Sequence, residues 1–204
     1  MTGLRERQKA NRTRRILEAA AQLFREAGYG AIRIDDIARV AEVSVGTFYN
    51  YFETKGDLLL AIVVMEVQEV LDSGTAIVAD PPPTVAEALS RLIGSYYDHS
   101  LYYLSKEMWR TAMAITIEAP ATPFSDRFTE LDRRLAEQVC ALITELQARS
   151  IARPDIDPRA MGEVIFNNLN MMFIEFVKND PMTLAALNAH VARQNAPLAA
   201  MLTR

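Results

Sequence analysis

The sequence has very little of what catalytic, metal-binding or secreted proteins usually depend on. Of its 204 residues only one is cysteine, Cys140, and only two are histidine. A single thiol cannot close an internal disulfide and no secretory signal is recognisable, so we expect a reducing compartment, the cytoplasm. His99 and His190 lie far apart, without the spacing of a metal site. No glycine-rich phosphate loop or nucleophile elbow is present, so we expect no enzyme, no metal and no cofactor.

Long apolar runs are also missing. The longest strongly apolar run, Leu58 to Met65, is bounded by Asp57 and Glu66. A membrane-spanning helix needs about 20 such residues, so this run predicts a buried helix segment, and no membrane partner is expected. Half of the residues are apolar, which is enough to build a core in one or two domains.

Charge is distributed unevenly along the chain. The formal net charge is −4, yet Glu6 is the one acid among the first 15 residues. The basic residues of that segment are Arg5, Arg7, Lys9, Arg12, Arg14 and Arg15. A basic arm on an acidic body suggests a polyanionic partner that is touched at one end only. A solvated, frayed terminus would show the same pattern, and charge alone does not choose between the two.

Helical periodicity dominates the sequence, and no alternating strand pattern of useful length occurs. One amphipathic stripe runs from Ile16 and ends at Gly28, a second short helix is predicted from about Ile34, and a third from Val45. The three prolines at 81–83 are the clearest break in the chain. The sequence therefore predicts an all-α protein with a three-helix N-terminal domain (residues 1–56) and a larger helical C-terminal domain (residues 57–204), connected by the fourth helix.

The predicted penultimate helix, from about Pro158 to Lys178, is apolar nearly all round. A helix that is apolar on every face must be buried on every face, which predicts packing on its own core and on a partner subunit. Together with the last helix, from about Pro181 to Leu202, it would form the four-helix interface of a homodimer. A central core helix in a monomer is the alternative.

The stretch VSVGTFYNYF, residues 43–52, predicts a DNA-reading helix after a tight turn. Val45 and Gly46 are small enough for close approach to base edges, and Thr47 can hydrogen-bond to a base or a phosphate. Phe48 and Phe52 would instead point into the core. The residues assigned to DNA contact are Arg33, Ser44, Val45, Gly46, Thr47, Tyr49, Asn50, Tyr51 and Lys55.

Residues 16–63, ILEAAAQLFREAGYGAIRIDDIARVAEVSVGTFYNYFETKGDLLLAIV, resemble the N-terminal domain of the TetR family of bacterial transcriptional regulators. The resemblance covers about the first quarter of the chain. It implies a two-fold symmetric dimer whose helix-turn-helix binds double-stranded DNA at a palindromic operator. It also implies that the C-terminal domain senses a small molecule and then releases the DNA.

Three positions depart from the pattern of the resembled family. Val45 stands where relatives commonly have lysine, which removes a contact to phosphate or base. Glu42 stands in the turn where glycine is common, so we expect a cost for a left-handed conformation. Arg33 replaces a hydroxyl near the start of the second helix and can still reach a phosphate. These changes bear on the operator sequence and affinity and leave the DNA-binding role intact.

The sensing side is predicted from composition. The residues assigned to a ligand pocket are Tyr96, Tyr97, Tyr103, Met108, Trp109, Met113, Phe128, Phe166, Asn167, Asn170 and Phe173. Such a lining, mostly apolar with a few polar groups, suggests an apolar or aromatic effector. Ordinary core packing is the alternative for each aromatic or methionine residue. The amides of Asn167 and Asn170 need partners, which could be a ligand, the other subunit or one another.

One cysteine and three acidic residues of the predicted seventh helix are given structural roles and no function. Cys140 lies on the stripe side of the seventh helix and is expected to be a buried thiol. Glu130, Asp132 and Glu137 are interpreted as a solvated face.

The leading hypothesis is a repressor released from its operator by a small-molecule effector. The alternative is a DNA-binding protein whose C-terminal domain only dimerises or binds a protein partner.

Overall fold

The computed structural model describes the backbone of residues 2–204 and the side chains of residues 6–204. The helices are α1 (Thr2–Ala27), α2 (Ile34–Val40), α3 (Val45–Tyr49), α4 (Lys55–Ala79), α5 (Val85–His99), α6 (Lys106–Glu118), α7 (Pro123–Ala148), α8 (Pro158–Lys178) and α9 (Leu184–Leu202). Within these residues the only strand-like pairing is an isolated bridge between Ala152 and Thr203. The all-α prediction is confirmed.

Most helix ends follow local capping chemistry. Thr84, Ser105, Asp157 and Thr183 each stand directly before a helix, and the side-chain oxygen of each accepts a backbone N–H of the first turn. In α8 the proline at the first position follows Asp157 and needs no hydrogen-bond partner for its nitrogen. The bounds predicted for this helix are confirmed, and α3 begins at Val45 as predicted.

The basic segment at the start of the chain is helical, since α1 begins at Thr2. The side chains of residues 6–12 are exposed. The side chain of Arg5 lies outside the described residues. The charges of this segment are therefore carried on a helix, and the frayed-terminus alternative does not describe its backbone.

The chain divides into two compact units. The first contains residues up to 66 together with residues 102–125, and the second contains residues 67–101 and 126–204. The first unit thus holds α1, α2, α3 and α6, and α4 passes from one unit to the other. The predicted domain boundary between residues 56 and 57 stays a prediction, because the division into compact units does not show which part of the chain folds independently.

In the first unit, each of the first four helices contributes buried side chains to the core. Phe24 is buried on α1, Ile37 on α2, Phe48 on α3 and Leu58 on α4. Phe48 also packs against the buried Phe52, with ring centroids 5.8 Å apart. The predicted inward direction of both phenylalanines is confirmed, and it leaves the opposite face of α3 free.

In the second unit, α7 and α8 approach each other at backbone distance. A Cβ added to Gly162 of α8 would meet the Sγ of Cys140 at 2.5 Å and its Cα at 2.8 Å. On the outer side of α8, Val164 and Met171 remain 52% and 56% exposed. The apolar surface that the sequence predicts around α8 is therefore only partly covered within one chain. Among the described residues, no helix is long and apolar enough to cross a membrane.

Candidate nucleic-acid interface

The turn between α2 and α3 has a left-handed residue at its centre. Glu42 has φ 51°, so the backbone strain that the sequence predicts for this position is present. The turn is closed by hydrogen bonds from the N–H of Val43 to the Ala38 carbonyl at 2.9 Å and from Ala41 to Ile37 at 2.8 Å. These bonds fix the direction in which α3 leaves the turn.

Arg15 of α1 reaches the same turn. Its guanidinium donates to the Ala41 carbonyl and to the Glu42 carboxylate, each at 2.7 Å. The Arg15 guanidinium is therefore paired within its own chain, in a contact that remains partly exposed. The sequence placed it with the basic residues that face a polyanion, and nothing in the local pattern separates it from Arg14 or Arg12.

The start of α3 is capped by its own hydroxyl groups. The Oγ of Ser44 accepts the N–H of Thr47 at 3.0 Å, and the two hydroxyl oxygens lie 2.8 Å apart. Ser44 has the extended backbone of an N-cap residue. The cap holds Thr47 in a fixed rotamer next to the first turn, where a recognition helix meets base edges.

The outward face of α3 is apolar and open. Val45 is 37% exposed and Tyr49 is 52% exposed, with the Tyr49 ring set edge-on against Phe48. A Cβ added to Gly46 would meet only the Ser44 Oγ, at 3.9 Å. No side chain of the described residues therefore explains why position 46 is so small. Of the other two residues predicted on this helix and its end, Asn50 is exposed and Tyr51 is half-buried.

Arg33 stands directly before α2 and is largely exposed. Its side chain makes no capping bond and is 81% exposed, with Asp35 at 3.9 Å as its nearest acid. A pair that long between exposed groups contributes little to stability. The guanidinium is therefore exposed to solvent, and its contact with a phosphate stays a prediction.

Backbone carbonyl groups surround the ammonium of Lys55, the cation that the sequence assigns to a phosphate contact. Its Nζ donates to the carbonyl oxygens of Tyr29 at 2.6 Å, Ile32 at 3.0 Å and Gly30 at 3.3 Å. It also lies 4.6 Å from the centre of the Tyr29 ring. Partial burial lowers the pKa of the Lys55 ammonium. All of these partners belong to the connection between α1 and α2.

The residues predicted to line an effector pocket are divided between the two units. Tyr103, Met108, Trp109 and Met113 belong to the first unit, and the other seven belong to the second. In the first, Met108 and Trp109 are buried, and the N–H of Tyr103 donates to the Glu66 carboxylate at 3.2 Å. Glu66 is 1% exposed, so a buried acid holds the chain just before α6.

In the second unit, the two tyrosines of α5 are buried and their hydroxyls are satisfied. Tyr97 donates to the Leu169 carbonyl at 2.8 Å and stacks on Phe173 at 6.1 Å. Tyr96 donates to the Oε1 of Gln138 at 2.7 Å. Burial raises the pKa of both phenols, so both remain protonated donors. Phe128 and Phe166 are buried as well.

The two amides that the sequence singles out on α8 differ in exposure. Asn167 is exposed and lies between Val164 and Met171 on the outer side of the helix, while Asn170 is half-buried. The amide pair that joins α8 to α9 is formed instead by Asn168 and the buried Asn195, at 3.1 Å. Asn168 could not be identified from the sequence, because it lies among the apolar residues Ile165, Leu169 and Met172 and its partner is 27 residues away.

Asp132 is not part of a solvated face, so this interpretation is wrong for one of its three members. Glu130 and Glu137 both pair with Arg133 at the surface. Asp132 is half-buried, has no hydrogen-bond or ion-pair partner among the described residues, and its burial raises its pKa to about 6. Its spacing from Phe128, four residues on, already places it on the apolar stripe of α7.

A groove of about 850 Å³ lies between α5 and α9. Small side chains form both of its walls, among them Ala86, Ser90 and Gly94 on α5 and Ala192 and Ala196 on α9. None of the residues assigned to the effector pocket lines this groove. The pocket was predicted from large aromatic side chains, so the prediction did not include this groove, which is lined by small ones.

Comparisons with known proteins agree with the all-α fold and the N-terminal helix-turn-helix. Residues 16–62 match the model of the bacterial regulatory proteins of the tetR family. The transcriptional repressor KstR of Rhodococcus jostii is 28% identical over 156 residues, which cover 76% of this chain and 67% of that protein. A TetR-family regulator structure from Mesorhizobium loti shares the fold with a TM-score of 0.75 at 20% identity, covering 96% of this chain and 98% of that one. The structure of FadR from Thermus thermophilus, a repressor in complex with lauroyl-CoA, has a TM-score of 0.64 at 21% identity and covers 94% and 96% of the two chains.

Proposed function

Because its N-terminal helix-turn-helix belongs to the tetR family of bacterial regulatory proteins, we propose that this DNA-binding transcriptional regulator is a dimeric, cytoplasmic repressor of a palindromic operator. In this proposal, a small-molecule effector that binds in the C-terminal domain releases the repressor from the operator. The observation that carries the proposal is the open, apolar face at the start of α3. The inward residues of α3 are packed, whereas Val45, Gly46 and Tyr49 are exposed on its outer face.

In this proposal the first turn of α3 enters the major groove. Gly46 and Val45 allow the backbone to approach base edges, and the capped Thr47 reads a base or a nearby phosphate. Arg33, Tyr49 and the exposed basic side chains of α1 neutralise or contact phosphates. Binding should therefore weaken steeply as the salt concentration rises.

The dimer forms through α8 and α9 in this proposal. Val164, Asn167 and Met171 lie three and four residues apart, so they make one outward stripe on α8. Met201 on α9 is also 56% exposed. Two copies of this surface would bury the stripe in a four-helix interface, and the two-fold axis would set the two α3 helices about 34–36 Å apart, or more, on a palindrome.

Effector release would act through α6, because α6 belongs to the same compact unit as the helix-turn-helix. Within that unit, Arg25 of α1 donates to the Tyr102 carbonyl and Glu66 of α4 accepts the N–H of Tyr103. A shift of the segment before α6 would thus be passed to both α1 and α4. The free energy that couples effector and DNA binding is the same in both directions.

The effector that we propose is apolar, and an acyl thioester is the first candidate. The related FadR structure contains lauroyl-CoA, and the aromatic and methionine side chains assigned to the pocket suit an acyl chain. A second candidate function keeps the DNA binding without an effector. The packed and hydrogen-bonded state of Tyr96 and Tyr97 favours it.

The test is a selection from random double-stranded DNA with the purified full chain. We expect enrichment of one palindrome, followed by loss of binding to it when long-chain acyl-CoA is titrated in. Enrichment without any palindrome contradicts the proposed function. A palindrome that is bound equally well at every acyl-CoA concentration contradicts this effector class, and a response to no member of an apolar ligand panel favours the second candidate.

A further inference from the structure

We propose that Lys55 is a positioning residue that locks the connection between α1 and α2, and that it is not a phosphate contact. The inference rests on the proposed function, since it concerns how this protein presents α3 to DNA. It begins from the number of acceptors around the ammonium. Three carbonyl oxygens, of Tyr29, Gly30 and Ile32, lie 2.6 to 3.3 Å from the Nζ.

An ammonium group has three N–H donors and no acceptor. Three convergent carbonyls therefore use its whole donor capacity, and the face of the Tyr29 ring at 4.6 Å adds a cation–π contact. A phosphate could bind Lys55 only after at least one of these bonds had broken. The free-energy gain from the phosphate would then be offset by a carbonyl oxygen left without its donor.

The carbonyls lie in a connection that has no helix hydrogen bonds of its own. Gly28 ends α1 with φ 83°, and α2 begins at Ile34, directly after Arg33. On the other side, Lys55 is held in the first turn of α4 by a reciprocal cap. Thr54 donates its N–H to the Asp57 carboxylate at 2.9 Å, and Asp57 donates its N–H to the Thr54 hydroxyl at 3.0 Å.

Lys55 thus ties the entry of α2 to the start of α4, while Arg15 ties the exit of α2 to α1 through the Ala41 carbonyl at 2.7 Å. The two cations hold opposite ends of the same short helix. Since α3 follows α2 after a turn, the position of α2 sets where α3 lies. Removing Lys55 should therefore move the recognition surface without removing a charge from it.

Salt dependence separates the two roles. Each phosphate neutralised by a cation contributes a slope of about 0.9 to the fall of log affinity with log salt concentration. We expect Lys55→Met to weaken binding to the selected palindrome at least tenfold with an unchanged slope. The control is Arg33→Met, which removes an exposed cation and should lower the slope by about 0.9.

Lys55→Arg keeps the positive charge and serves as a second variant in case Lys55→Met does not fold. A planar guanidinium cannot direct its donors to three carbonyls that converge on one point, whereas it binds phosphate at least as well as an ammonium does. We expect Lys55→Arg to lose affinity as Lys55→Met does. Near wild-type affinity in Lys55→Arg, or a slope lowered by about 0.9 in Lys55→Met, overturns the proposal.

Hydrogen exchange in the DNA-free protein gives a reading that is independent of operator binding. Peptides that cover residues 28–35 should exchange faster in both variants than in the wild type, because the connection loses its anchor. Unchanged exchange there overturns the positioning role. If the wild-type protein selects no palindrome, the proposed function fails, and this measurement still decides the role of Lys55.

Discussion

Arg15 and Glu42 form an ion pair of 2.7 Å that spans the helix-turn-helix from α1 to the turn. Glu42 occupies a left-handed backbone position, φ 51°, at which a residue without Cβ is favoured. The same guanidinium binds the Ala41 carbonyl next to it. The strained residue is thus held by a long-range contact, which gives a physical reason why glutamate is tolerated where glycine would be expected.

Substitutions at position 42 separate the strain from the ion pair. Glu42→Ala and Glu42→Gly both lose the carboxylate, but only glycine relieves the left-handed strain. We expect Glu42→Gly to be more stable than Glu42→Ala by about 1 kcal/mol, measured by urea denaturation. Equal stability of the two variants would show that the turn does not hold this conformation in solution.

The close approach of α7 and α8 makes Gly162 sensitive to a single methyl group. Gly162→Ala would push a Cβ against the backbone of Cys140 at 2.8 Å, so we expect a loss of about 1–3 kcal/mol in the free energy of unfolding. Gly94→Ala is the matched control, because Gly94 is also inside a helix but has no atom within 4 Å of the added Cβ. It should be neutral or gain up to about 1 kcal/mol. Similar effects at both sites would contradict the α7–α8 contact.

The burial of Asp132 predicts how the free energy of unfolding changes with pH. Its pKa is raised to about 6 in the folded protein from 3.8, so its charged form destabilises the fold above pH 6. That penalty fades as the pH falls from about 6 toward 4, since the folded state then takes up the proton more readily than the unfolded chain. Asp132→Asn should therefore stabilise the protein by roughly 1–2 kcal/mol at pH 7.5, after allowance for partial exposure, and by much less at pH 4.5. Urea denaturation at the two pH values measures the difference. The surface variant Glu137→Gln serves as control, and an equal gain at both pH values would refute the buried charge.

The outward stripe of α8 predicts the oligomeric state. Met171→Glu would place a charge in the centre of the proposed interface and leave it unpaired there. We expect a shift from dimer to monomer in light scattering coupled to size exclusion. Ile117→Glu is the control, because Ile117 is 79% exposed on α6 and lies outside the stripe. A dimer that survives Met171→Glu, or one that dissociates equally with Ile117→Glu, rules out this interface.

Local features were predictable from the sequence. The start of α8 at Pro158 and the strain at Glu42 both depend on neighbouring residues, and the structure confirms them. The inward and outward faces of α3 followed from helical spacing. The strain at Glu42 and the two faces of α3 belong to the helix-turn-helix, so its exposed surface was predictable from the local sequence.

Features that depend on distant residues were not predictable. Lys55 and Arg15 meet partners 23 to 27 residues away, and no local pattern distinguishes a cation used inside the fold from one offered to DNA. Asp132 was misassigned because its charge was given more weight than its position on the apolar stripe. The pocket assignment rested on residue type, and residue type alone cannot separate a ligand contact from the core packing of Tyr97.

The most direct test of the recognition surface is Gly46→Leu in the full chain. An added Cβ has open space at this exposed position and leucine suits a helix, so the melting temperature should stay within about 2 °C of the wild type. If α3 enters the major groove by its first turn, the leucine must collide with the bases. Affinity for the selected palindrome, measured by fluorescence anisotropy, should then fall at least tenfold. Unchanged affinity in a folded Gly46→Leu protein would contradict the placement of α3 in the groove.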